Sequence, residues 1–117
     1  MLEILMKGLR AEFDSVLFYL EKLERLNYKD NKQAVDSLTL ESVDHALWLT
    51  KEILLLKKDV GGKLDSLATR EAMREEMGMR EIYAYELEKS DDVDVKVLMT
   101  KLIKEEKHHE RLVDSLR

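Results

Sequence analysis

Glu12, Tyr19, Glu41 and His45 recur as Glu76, Tyr83, Glu105 and His109, each pair 64 residues apart. Arg10, Leu23, Glu24, Asp30 and Leu38 also meet their own kind at that offset, at Arg74, Leu87, Glu88, Asp94 and Leu102. The repeated pattern is a Glu, a Tyr seven residues on, then a Glu and a His on a later segment. Carboxylate oxygen with imidazole nitrogen suits iron or manganese better than structural zinc. Two such half-sites facing each other make a dinuclear metal centre.

The phase of these residues adds to the argument. In the first segment Leu2, Leu5, Leu9, Glu12, Val16, Tyr19, Leu23 and Leu26 follow steps of three and four, a core-facing helical stripe. The last segment repeats this with Val95, Leu98 or Met99, Leu102, Glu105 or Glu106, His109 and Leu112 or Val113. His45 shares a stripe with Leu38, Leu49, Ile53 and Leu56, and Glu76 lies with Ala68, Ala72, Met79, Tyr83 and Leu87. Glu75 competes with Glu76 on that third segment, and the repeat favours Glu76. An unpaired carboxylate in a core costs several kcal/mol or takes up a proton. No Lys or Arg is expected at matching central positions, so a metal cation is the simplest compensation. Glu106 with His109, and Glu41 with His45, each place two ligands one turn apart on one helical face. Tyr19 and Tyr83, two turns beyond Glu12 and Glu76, can donate phenolic hydrogen bonds to the ligand oxygens. Each residue alone has an ordinary role: a Glu at a helix end, a hydrogen-bonded core His, a packed Tyr. Their joint recurrence favours the metal.

Four segments must position these groups. Asn27 to Asn31 reads as a turn, Gly61-Gly62 as a stop, and Asp65 or Ser66 as a cap. Ser90-Asp91-Asp92 closes the third segment and caps the fourth. The spacing predicts helices over 2–27, 32–58, 65–89 and 93–116, in one domain spanning 1–117. Proline is absent, and the 44% hydrophobic and 38% charged content excludes a disordered chain. The net charge of −5 and the lack of a basic patch argue against nucleic acid. Without cysteine there are no disulfides, thiolate zinc sites or iron–sulfur centres in this chain, which fits a reducing cytoplasm. No apolar run approaches 18 residues, so no membrane partner is expected.

Ala11-Glu12 with Tyr19, Glu41-Ser42-Val43-Asp44-His45-Ala46, Glu76 with Tyr83, and Glu105-Glu106-Lys107-His108-His109 resemble the ferritin-like, rubrerythrin-type di-iron carboxylate proteins. The resemblance covers essentially the whole chain, and Glu106-x-x-His109 is its most specific motif. It implies an all-α, antiparallel four-helix bundle of two pseudo-repeated helix pairs around two iron ions, with manganese as the alternative metal. The implied ligands are Glu12, Glu41, His45, Glu76, Glu106 and His109. The implied reactants are dioxygen or peroxide, in peroxide reduction or ferrous iron oxidation. With no cysteine-bound iron of its own, the chain would take electrons from another protein.

The chain departs from the family at Ser42, which stands where a bridging Glu is expected. The link between the second and third segments is also short. Six residues span at most ~20 Å, whereas a 27-residue helix is ~40 Å long. That predicts either an up-down-up-down bundle or two chains exchanging halves, and a homo-oligomer, most simply a dimer. The alternative readings are a non-catalytic assembly bundle with a degenerate metal site, iron storage in a larger shell, and a haem bundle using His109.

Overall fold

Helix-forming residues fill the stretches between the breakers, and the secondary structure follows them. The computed structural model describes residues 1–117, which form four long helices and no strand. The helices are α1 (Leu2–Glu21), α2 (Lys32–Leu56), α3 (Ser66–Lys89) and α4 (Val93–Asp114). A single 3₁₀ turn covers Tyr28–Asp30. The chain divides into two compact units, Met1–Val60 and Gly61–Arg117. In the first, α1 packs on α2; in the second, α3 packs on α4. No helix is long and apolar enough to cross a membrane.

The first unit turns at Asn27. Its φ of 50° is left-handed, a conformation Asn tolerates better than most residues. The Tyr28 N–H reaches the Leu23 carbonyl and the Asn27 N–H reaches the Glu24 carbonyl. That is the Schellman arrangement, which satisfies carbonyls at a helix end. Regular α-helix stops earlier, at Glu21, because the Lys22 N–H bonds three residues back to Tyr19 and tightens the turn. The side chain of Asn31 then donates to the carbonyls of Leu26 (2.9 Å) and Asn27 (3.2 Å), tying the end of the turn to the start of α2. Tyr28 donates to Asp36 at 2.6 Å across the same corner, and this bond raises the tyrosine's pKa.

Small residues set the closeness of α1 and α2. A methyl group at Gly8 would stand 3.3 Å from Leu49 Cδ1. Ser15 and Ser42 meet through their hydroxyls at 3.3 Å, and Ala46 is buried. The pairs Gly8–Leu49, Glu12–His45 and Ser15–Ser42 rise along α1 as they fall along α2, so the two helices run in opposite directions.

The second unit is capped as its sequence demands. Asp65 accepts from the Leu67 N–H at 2.8 Å, and Asp92 accepts from the Asp94 and Val95 N–H groups at 2.8 and 3.2 Å. Its interior is unusual. The one buried residue of α3 and α4 is Glu106, 6% exposed. The remaining apolar side chains of this hairpin are half-buried or exposed.

Candidate metal centre

The geometry of α3 and α4 brings three candidate ligands together. His109 Nδ1 stands 3.3 Å from Glu76 Oε2 and 3.4 Å from Glu106 Oε2. One ligand atom from each of the three lies within 4.8 Å of the others. Glu106 and His109 occupy successive turns of α4, and Glu76 reaches them from α3. Glu75 and Glu105, the competing neighbours, are exposed. The repeat pointed to Glu76 on α3 and the Glu-x-x-His spacing of the resemblance to Glu106 on α4, and these are the two that meet His109.

The electrostatics are those of a crowded anionic site. The Glu106 pKa is raised, chiefly by a hydrogen bond to Glu76, then by burial and by the Glu76 charge; His109 pulls it the other way. Burial opposes protonation of His109, but the hydrogen bonds and charges of Glu106 and Glu76 outweigh it and raise its pKa. Both groups thus hold protons in the native state that the unfolded chain releases at the same pH. The sign of the linkage follows: stability is full below the ordinary values and is lost as pH rises. We expect metal-free protein to lose stability between about pH 5 and about pH 8, the range spanning ordinary carboxyl and imidazole titration. Urea midpoints measured at stepped pH test this. A midpoint that holds or rises across the range would show that the three groups are not assembled. A bound cation replaces the protons and should flatten the slope.

The first hairpin holds a smaller pair. His45 Nδ1 lies 3.4 Å from Glu12 Oε1, with the histidine side chain 48% exposed. The His45 ring leans on Trp48, with centroids 5.3 Å apart. Glu41 is not brought to this pair: it is exposed and hydrogen-bonds to neither Glu12 nor His45. Ser42 instead points into the helix interface, bonded to Ser15. Tyr19 and Tyr83 are half-buried, and neither hydroxyl bonds to a candidate ligand within its hairpin. Tyr19 packs edge-on against Phe18, centroids 5.2 Å apart.

One half-buried cation escaped the sequence reading. Arg80 donates to Glu110 through Nε (2.6 Å) and a terminal nitrogen (3.2 Å), a two-point ion pair joining α3 to α4. The expectation of no basic residue at a central position is therefore corrected. The signal was present: Arg80 is four residues after Glu76, and Glu110 four after Glu106, so each shares a face with a ligand. The pair neutralises itself and leaves the three-ligand cluster to be compensated by the protons on Glu106 and His109. At the 64-residue offset its counterparts are Val16 and Ala46, and Glu106 corresponds to Ser42. The two hairpins thus carry the same Glu–His pair, and the second adds a buried carboxylate and an ion pair.

No family model, curated protein or solved structure matches the chain.

Proposed function

We propose that this chain is a di-iron carboxylate protein that reacts with dioxygen or peroxide. What carries the reading is that Glu106, the one buried residue of the second hairpin, is a carboxylate set against Glu76 and His109. Proteins do not ordinarily centre a helix pair on a carboxylate unless a charge or proton compensates it. Oxygen and imidazole donors fit iron, with manganese next. In this proposal both hairpins join in an antiparallel four-helix bundle, within one chain or exchanged between two, so that Glu12 and His45 face Glu76, Glu106 and His109. Glu41 would enter by a change of rotamer, and Tyr19 and Tyr83 would support the ligand oxygens once the bundle is closed. Iron supplies one-electron chemistry towards dioxygen or peroxide; the chain's residues hold the charge, fix the imidazoles and keep bulk water out. Peroxide reduction draws its electrons from a separate donor protein, since the chain has no thiolate to hold a second iron centre.

The exposed Glu41 and the Ser15–Ser42 hydroxyl pair favour a second reading, an assembly bundle with one strong and one vestigial half-site. Anaerobic loading with ferrous iron separates the two. The di-iron reading expects about two metal ions per four-helix unit, near-ultraviolet charge-transfer absorption on oxidation, and a melting temperature that falls on chelation. Protein that stays metal-free, with an unchanged melting temperature, would sink it in favour of assembly.

A further inference from the structure

Acidic and basic residues intermix along the sequence of α4, and winding sorts them. At about 100° per residue, Lys96, Lys101, Lys104, Lys107, His108 and Arg111 fall within about 140° of the helix circumference. That arc is centred about 150° from both Glu106 and His109, on the side of α4 away from the candidate ligands. All six residues are exposed, as are Val97 and Thr100 between them, and none of the Lys and Arg among them is in an ion pair. Asp94, Glu105 and Asp114 reach only the margins. The face runs about 22 Å from Lys96 to Arg111. The expectation of no basic patch is therefore corrected: Glu105, Glu106 and Glu110 interrupt the run in sequence but not on the surface. The first hairpin has no such face. At the 64-residue offset Lys101, Lys104, Lys107 and Arg111 meet Ser37, Leu40, Val43 and Leu47.

We propose that this face docks a small acidic electron-carrier protein, one holding a flavin or an iron–sulfur centre, which delivers electrons to the metal centre on the other side of α4. The proposal rests on the di-iron reading above. Position singles out this partner. A carrier seated here is separated from Glu106 and His109 by one helix, about 10–12 Å across. His108 belongs to the face, and its ring lies 6.2 Å, centroid to centroid, from that of His109. In the proposed bundle the ligands point inward, so the face stays open to a partner. Charge fits this partner as well. Of the 20 Lys and Arg in the chain five stand here, and the rest are outnumbered by 25 Asp and Glu. A long polyanion such as nucleic acid would run past the face onto that anionic remainder, whereas a compact acidic protein meets the face alone. A field of one sign steers an oppositely charged partner and speeds encounter. One helix face is small, which suits electron carriers, whose transient interfaces lie at the low end of the size range. Each encounter oxidises the carrier by one electron and reduces one ferric ion to ferrous. Two encounters supply the electrons, and solvent the two protons, that take hydrogen peroxide to two waters.

Reduced plant-type ferredoxin, an acidic one-electron carrier, is the probe. Stopped-flow mixing with the oxidised, iron-loaded chain reads electron transfer, and calorimetry with the metal-free chain reads docking alone. Lys104 and Arg111 stand at the middle of the face, furthest from the ligands. Lys104→Glu with Arg111→Glu should lower the second-order rate roughly tenfold or more at low ionic strength and flatten its fall with added salt. Ferredoxin affinity should fall in parallel. Iron content and helical circular dichroism should stay unchanged, and reduction by methyl viologen radical, a small cation, should not slow. Lys51→Glu, an exposed reversal on α2, should change neither rate nor affinity. Lys104→Gln with Arg111→Gln should give a smaller loss of the same kind, and decides the matter if the double Glu variant does not fold. Iron-loaded protein that accepts electrons from methyl viologen, but reacts with ferredoxin equally fast before and after reversal, would overturn the docking proposal and leave the di-iron reading standing. So would a face that binds a DNA duplex or an RNA hairpin and not ferredoxin. Protein that takes up no iron would instead remove the di-iron reading, and electron delivery with it.

Discussion

His109→Ala should empty the metal centre, whereas His45→Ala should only weaken it. His109 Nδ1 faces two carboxylates, at 3.3 and 3.4 Å, and one of them is the buried Glu106. His45 faces one carboxylate, at 3.4 Å, and its side chain is nearly half exposed. Loss of a partner that merely orients a ligand costs about 10–100-fold in metal affinity. Loss of His109 itself should therefore exceed ~100-fold, with a clearly smaller loss for His45. Equilibrium dialysis against ferrous iron or manganese, read by elemental analysis, measures both. Equal losses would show that the two half-sites bind alike and that Glu41 fully replaces the missing bridge.

Ser42→Glu should destabilise the metal-free protein and strengthen metal binding in the same molecule. Ser42 is buried against Ser15 and stands three residues before His45, as Glu106 stands three before His109. A carboxylate introduced there enters the α1–α2 interface without a partner. Burying such a group costs several kcal/mol, a large effect for one substitution. A cation offsets that cost, so the melting temperature of the variant should rise more steeply on iron loading than that of the wild type. Variant protein that binds metal no more tightly than wild type would show that position 42 does not face the metal.

Much of this arrangement is written in single residues. Asp65 and Asp92 mark helix starts because their chemistry is local, two carboxylates that accept N–H groups; Gly61-Gly62, read as a stop, lies past the end of α2, which closes at Leu56 on Lys57. Phase alone left Glu105 and Glu106 open, because both lie on seams of three- and four-residue steps; only the packing of α3 on α4 turns Glu106 inward and leaves Glu105 exposed. The end of α1 was less legible. Leu23 and Leu26 continue the apolar stripe past Glu21, and only the backbone bonds of Lys22 and Asn27 reveal the tightened turn. Glu41 looked equivalent to a ligand because it lies one turn from His45. Four residues, however, overshoot a turn by about 40°, which carries Glu41 further from α1; three residues fall short by about 60° and aim Ser42 at it. Arg80 and Glu110 went unread, although each lies one turn beyond a ligand on the same face, because their meeting across two helices depends on how α3 packs on α4.

The carboxylate at the centre of the second hairpin bears on how long the protein survives. A helix pair held by Leu and Ile resists opening whatever the medium contains. One with Glu106 as its buried residue depends in addition on what neutralises Glu106. If the cluster takes a metal as proposed, ion supply would act as a clock on the polypeptide: loaded chains would open rarely, and empty ones would present α3 and α4 to proteases more often. The amount of protein in a cell would track the metal available to it with no sensor other than its own folding.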